Sequence, residues 1–146
     1  MAKAKIKTTE NNASVDEFLN AVADEQKRTD SRVVLEMMKQ ATGDEPKMWG
    51  PAIIGFGFRT VKSPSGREVD WLDIGFSPRK GNLSLYVLNG AAGQSDLLAR
   101  LGKYKAGLGC LYIKRLTDVD QGVLEELIEA SIGHVRKDQP ATAGEG

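Results

Sequence analysis

A single cysteine and a single histidine among 146 residues exclude two large classes of protein at the outset. Cys110 has no partner for an internal disulfide, and with His134 alone there is no Cys/His set of the kind that holds a structural zinc. Long apolar runs are missing too. Nothing approaches the roughly 20 residues of a membrane span, and Met1 to Thr9 carry Lys3, Lys5 and Lys7 without the apolar stretch of a secretory signal. Net charge is likewise absent: twenty Lys and Arg balance twenty Asp and Glu, so no global field draws the molecule to nucleic acid or to an anionic membrane. Together these absences predict a cytoplasmic protein that binds neither nucleic acid nor membrane. There is no internal repeat and no break in composition that marks a second domain.

What is present is enough apolar sequence for one core. Residues 1–12 are polar and aperiodic and are expected to form a disordered arm, residues 13–136 a single folded domain, and residues 137–146, with Pro140 among Ala, Gly and Thr, a disordered tail. Ser14 followed by Glu17 reads as a capping box, after which Val15, Phe18, Leu19 and Val22 mark one helical face. Asp30 or Ser31 is expected to cap a second helix with Val34, Met37, Met38 and Ala41 inward, and Gly43 to end it. From Ala52 the period changes to two. Ile54, Phe56 and Phe58, then Leu72, Ile74 and Phe76, then Leu83, Leu85 and Val87 predict three strands of an antiparallel meander. Ser95 is expected to cap a short helix that Gly102 ends, Cys110 to Lys114 form a fourth strand, and Thr117 or Asp118 caps a long final helix through Val135. The order α-α-β-β-β-α-β-α predicts an α+β fold, a small, mostly antiparallel four-stranded sheet with helices packed on one face.

If the aliphatic residues face the helices, alternation sends Arg59, Trp71, Asp73, Tyr86, Cys110, Tyr112 and Lys114 to the other side, beside Gly55, Gly57 and Gly75. Each large ring buries about 150–250 Å², so Trp71, Tyr86 and Tyr112 together match or exceed the largest apolar patch of an ordinary monomer. Something is expected to cover them: the Lys47–Gly50 stretch with Trp49, a second copy of the chain, a partner protein, or a small molecule oriented by Asp73, Arg59 and Lys114. Other chemistry is sparse. The run Gly102 to Gly109 looks like a phosphate loop but leads from a helix into a strand, the reverse of that motif. Arg79, Lys80, Lys103 and Lys105 could still form a small anion-binding patch. The carboxylates Asp16, Glu17, Asp24 and Glu25 alternate with Lys27 and Arg28, a pattern of a solvated helix with at most weak affinity for a hard cation. His134, near a helix end, and Cys110, beside Leu111, read as structural residues, and no Gly-x-Ser-x-Gly turn supports a catalytic serine.

Several segments carry a resemblance: Lys7-Thr8-Thr9-Glu10, Met48-Trp49-Gly50-Pro51, Ile74 to Lys80, Leu83 to Val87, and Leu101-Gly102-Lys103 through Cys110 to Leu116. Across residues 7–135 the chain resembles the bacterial YdhG-like family, for the most part a domain of unknown function. One branch of that family is regarded as frataxin-like, which implies an iron chaperone for iron-sulfur or haem assembly, with Trp71 as the aromatic presented to a partner. Frataxins carry a dense acidic surface, whereas this chain is neutral. The reading that follows is a cytoplasmic, non-enzymatic binding or interaction module using the aromatic sheet face for a small ligand, a partner protein or a homodimer, without a cofactor. The alternatives are the frataxin-like iron chaperone, in which iron is the cargo, and a small-metabolite enzyme for which no catalytic set can be named.

Overall fold

The computed structural model describes residues 10–11, 13–50, 52–62, 66, 68–88, 93–107 and 109–138. Helix α1 spans Val15–Asn20, and the Ser14 hydroxyl oxygen accepts the Glu17 N–H at 3.1 Å, one half of the expected capping box. Helix α2 spans Glu25–Thr42 and ends where expected, on Gly43 in the left-handed region with φ of 73°. Its start lies earlier than the sequence pattern suggests. Asp24 is the cap, accepting from the N–H groups of Gln26 and Lys27, and Asp30 and Ser31 lie buried inside the helix. The Asp30 carboxylate is satisfied by tertiary contact instead, accepting the Leu116 N–H at 3.1 Å and the Gln26 amide at 2.9 Å. A carboxylate with that service to perform sits in a helix interior despite its low propensity.

Helix α3, Gln94–Leu101, begins one residue before Ser95, after Gly93 with φ of 86°. Helix α4 covers Gln121–Asp138. A short 3-10 turn, Leu116–Asp118, occupies the place where its cap was expected, and the carboxylate of Asp120 accepts the Val123 N–H at 3.1 Å. The stripe Val123, Leu124, Leu127, Ile128, Ile132 and Val135 is buried as its period requires. The first two positions of the expected 137–146 tail continue α4, and the rest of that tail lies outside the described residues.

The α+β class and the antiparallel sheet are present, with more strands than the four expected. Seven strands, β1 (Glu10–Asn11), β2 (Lys47–Trp49), β3 (Ile53–Lys62), β4 (Glu68–Pro78), β5 (Leu83–Tyr86), β6 (Lys105–Ala106) and β7 (Leu111–Ile113), form one sheet in the order β1-β2-β3-β4-β5-β7-β6. Every described pairing is antiparallel. The three unforeseen strands are two or three residues long, too short for alternation to register. Glu10 and Asn11, placed by composition in the N-terminal arm, pair with Trp49 and Met48.

One face of the sheet meets the helices. Ile54, Phe56, Ile74, Phe76, Leu83, Leu85, Leu111 and Ile113 join Leu19, Val34, Met38, Leu97, Leu101, Leu124 and Leu127 in a single apolar cluster. The alternation expected for β3 and β4 holds only as far as Gly57. That residue has φ of 67°, and no ladder pair joins it to Asp73, although pairing resumes with Phe58 opposite Leu72. Beyond this point the two outer residues leave the core. Phe58 is 55% exposed, and Leu72 is buried outside the main cluster, its Cβ only 2.9 Å from the position a Cβ on Gly55 would take. A left-handed residue turns the strand about its own axis, so the side-chain phase does not carry across it.

Candidate functional site

The glycines of the second sheet face are accounted for within the chain. Trp49, 1% exposed, lies over Gly55 so closely that a Cβ there would stand 2.6 Å from the indole Cδ1. A Cβ on Gly75 would meet the Ile54 carbonyl at 2.4 Å, and one on Gly57 would meet the Asp73 carboxylate at 2.5 Å. The trough expected from these three positions is therefore not formed: an indole lies over Gly55, a neighbouring strand over Gly75, and Gly57 faces the carboxylate of Asp73. Trp49 in turn sets the next ring. Its centroid is 5.9 Å from that of Trp71 at an interplanar angle of 69°, and Trp71 lies 6.5 Å from Tyr86 at 79°. Such edge-to-face chains are the preferred aromatic geometry. The Tyr86 hydroxyl accepts from Arg79 Nη2 at 3.0 Å while Arg79 Nε donates to Ser77 at 3.1 Å, so the far end of the chain is held as well.

A cleft of about 350 Å³ opens where β5 leaves β4. Pairing between these strands stops at Gly75 opposite Tyr86, after which β4 runs on alone with β3 and the chain beyond β5 turns toward Gly109. Arg59, Trp71, Leu72, Asp73, Tyr86, Leu88, Cys110 and Val135 line it, with the volume at the lower end of small-molecule sites. Asp73 was expected on the open face. It instead reaches toward the helical layer, its side chain 4% exposed, with Arg59 Nη1 at 3.5 Å and Arg136 Nη2 at 3.7 Å. Burial raises the Asp73 carboxyl above its ordinary 3.8, against the pull of Arg136 and then Arg59, and the Asp44 carboxylate adds to the rise. Arg136 ties this corner together, donating to the Thr42 carbonyl at 2.9 Å and to Asp44. It was not foreseen, because the helical period of α4 places it on the polar side and nothing local connects it to β4.

Of the residues expected to act together, Arg59, Trp71, Asp73 and Tyr86 share the cleft, and Trp49 stands behind Trp71 as its support. Tyr112 and Lys114 do not line the cleft. Tyr112 pairs with Ser84 and Lys105 and lays its ring against Gly107, and Lys114 follows β7 toward the end of the sheet opposite the cleft. Cys110 is half-buried in the cleft wall rather than an ordinary core residue. Beside it, the Tyr112 phenol is held above its ordinary 10.0, first by the charge of the Cys110 thiolate and then by their hydrogen bond.

The basic residues do not gather. Arg79 and Lys80 border a second cavity of about 380 Å³ with Lys27, which donates to both their carbonyls, whereas Lys103 and Lys105 lie elsewhere, at the β6 edge. The four carboxylates disperse as well. Asp16 pairs with Arg32 at 3.1 Å, Asp24 caps α2, and Glu17 and Glu25 are exposed in the first turns of separate helices. Among the described residues no group of three or more His, Cys, Asp or Glu side chains could hold a metal ion. His134 is half-buried on α4. No helix among the described residues is long and apolar enough to cross a membrane. No family model, curated protein or solved structure matches the chain.

Proposed function

We propose that the protein is a small-molecule binding module and that the cleft beside β4 is its site. One observation carries this reading: Arg59, Trp71, Asp73 and Tyr86, from three strands, converge on one cavity of about 350 Å³ with Leu88, Cys110 and Val135. The rings and aliphatic side chains supply apolar contact, and a few polar groups fix orientation, which is the ordinary division of labour in such a site. The resemblance to the YdhG-like family belongs to this reading, since its segments around Trp49, Ile74 to Lys80, and Leu83 to Val87 supply the ring support and part of the wall. A cytoplasmic setting belongs to it too, on the ground of composition alone.

The test uses phenol as a neutral probe, followed through the two tryptophan indole N–H resonances and through alkylation of Cys110, the single cysteine of the chain. A saturable shift of the Trp71 signal with slower alkylation of Cys110 is expected. Trp71→Ala should weaken the response while the thermal transition stays cooperative. Phenol that leaves both reporters unmoved would remove the cleft as a binding site.

A further inference from the structure

Resting on that reading of the cleft, we infer that its ligand is a planar aromatic monocarboxylate, with the ring in the corner of Trp71 and Tyr86 and the carboxylate on Arg59. The first support is the wall geometry. The rings of Trp71 and Tyr86 stand at 79° to one another, so they form a corner rather than a slot. A flat ring entering a corner stacks on one wall and meets the other edge-on, the two arrangements that aromatic quadrupoles favour. The volume of about 350 Å³ suits one or two fused rings.

The second support is the donor inventory of Arg59. Its Nη1 donates to the Leu72 carbonyl at 3.0 Å and to Asp73 at 3.5 Å. Those contacts fix the guanidinium plane and leave Nε and Nη2 without a hydrogen bond among the described residues. Two parallel N–H donors on one edge of a guanidinium match the two oxygens of a carboxylate. The side chain is 29% exposed and lines the cleft.

The third support concerns charge. Arg136 is committed to Thr42, Asp44 and Asp73, which leaves Arg59 as the cation that answers a ligand. Asp73 lies behind it at 3.5 Å. A monoanion placed on the far edge meets the guanidinium first and the carboxylate at greater distance, whereas for a dianionic phosphate the desolvation cost rises as the square of the charge while the net attraction only doubles. A cationic ligand meets the opposite problem, because the Asp73 oxygens are nearly enclosed and already face both Arg59 and Arg136.

The experiment titrates the full chain with 2-naphthoate, 2-naphthamide and 2-naphthyl phosphate, reading the Trp71 indole resonance and Cys110 alkylation. Naphthoate is expected to bind most tightly, with the amide weaker by about tenfold or more, as loss of a charge-assisted bidentate pair implies. Arg59→Lys keeps the charge but not the fork and should weaken naphthoate about five- to tenfold without weakening the amide. Arg59→Gln should bring acid and amide to similar affinity. Equal binding of acid and amide by the unaltered chain would overturn the carboxylate assignment and leave the cleft standing. Tighter binding of the phosphate would likewise overturn it. If none of the three binds, the cleft reading fails together with the ligand class; the comparison among ligands on the unaltered chain does not depend on any variant folding.

Discussion

On the helical side of the sheet, side chains from β2, β3, β4, β5 and β7 enter one continuous cluster with residues of all four helices. On the opposite side the large buried ring, Trp49, rests directly on a glycine. The first face is made by many interchangeable aliphatics and tolerates substitution that conserves volume. The second is made by a few unlike residues in fixed order: Gly55 admits Trp49, Trp49 sets Trp71, and Trp71 sets Tyr86. The first face supplies the shared core, whereas the second adds a short chain of enclosed rings that also shapes the cleft. Gly57 marks the transition, since beyond it the two strands no longer contribute to the common core.

The comparison breaks most readily at Trp49. Trp49→Ala is expected to cost about 3–5 kcal/mol, the loss typical of an enclosed aromatic, because Gly55 has no side chain with which to fill the gap. Equilibrium urea unfolding measures it, and a cost under about 1 kcal/mol would mean that this face contributes shape without enclosed packing. A smaller effect is expected at Asp73. Its carboxyl is raised in the folded state, so the proton it binds favours the native form; that contribution is complete below 3.8 and is lost as pH rises through the raised value. The unaltered chain should therefore gain stability relative to Asp73→Asn as pH falls from neutrality toward 3.8, read as a change in the gap between the two urea midpoints. Parallel midpoints would show that Arg59 and Arg136 offset burial in full. The smallest effect belongs to Phe58→Ser. With the ring 55% exposed, the unfolding free energy should change by no more than about 0.5 kcal/mol. A loss of about 3 kcal/mol, the size of a core deletion, would return Phe58 to the core phase that simple alternation assigns it.

The four helices, the antiparallel meander and the core stripe of α4 were legible because each rests on a periodic run long enough to define a face. The four cleft residues were legible as a group for a related reason: they fall among the polar and aromatic positions left over when the aliphatics are assigned inward. Their exact arrangement was not. Asp24 and Asp30 are both plausible caps by local chemistry, and only the approach of Leu116 decides that Asp30 serves inside the helix. Strands of two or three residues have no period to detect; they exist because a neighbouring strand supplies the hydrogen bonds.

By itself, the sequence determined the class of fold, the residues of the core apart from Phe58 and Leu72, and the absence of a disulfide framework, since each follows from composition and short-range spacing. Tertiary structure alone decided that Trp49 would lie over Gly55, that Gly57 would interrupt the phase of β3, and that Arg136 would meet Asp73 from another layer. Burial pattern is a property of neighbours along the chain, whereas a cleft is made by residues brought together across it. Arg59, Asp73 and Arg136 acquire their joint charge and geometry only when strand and helix have packed.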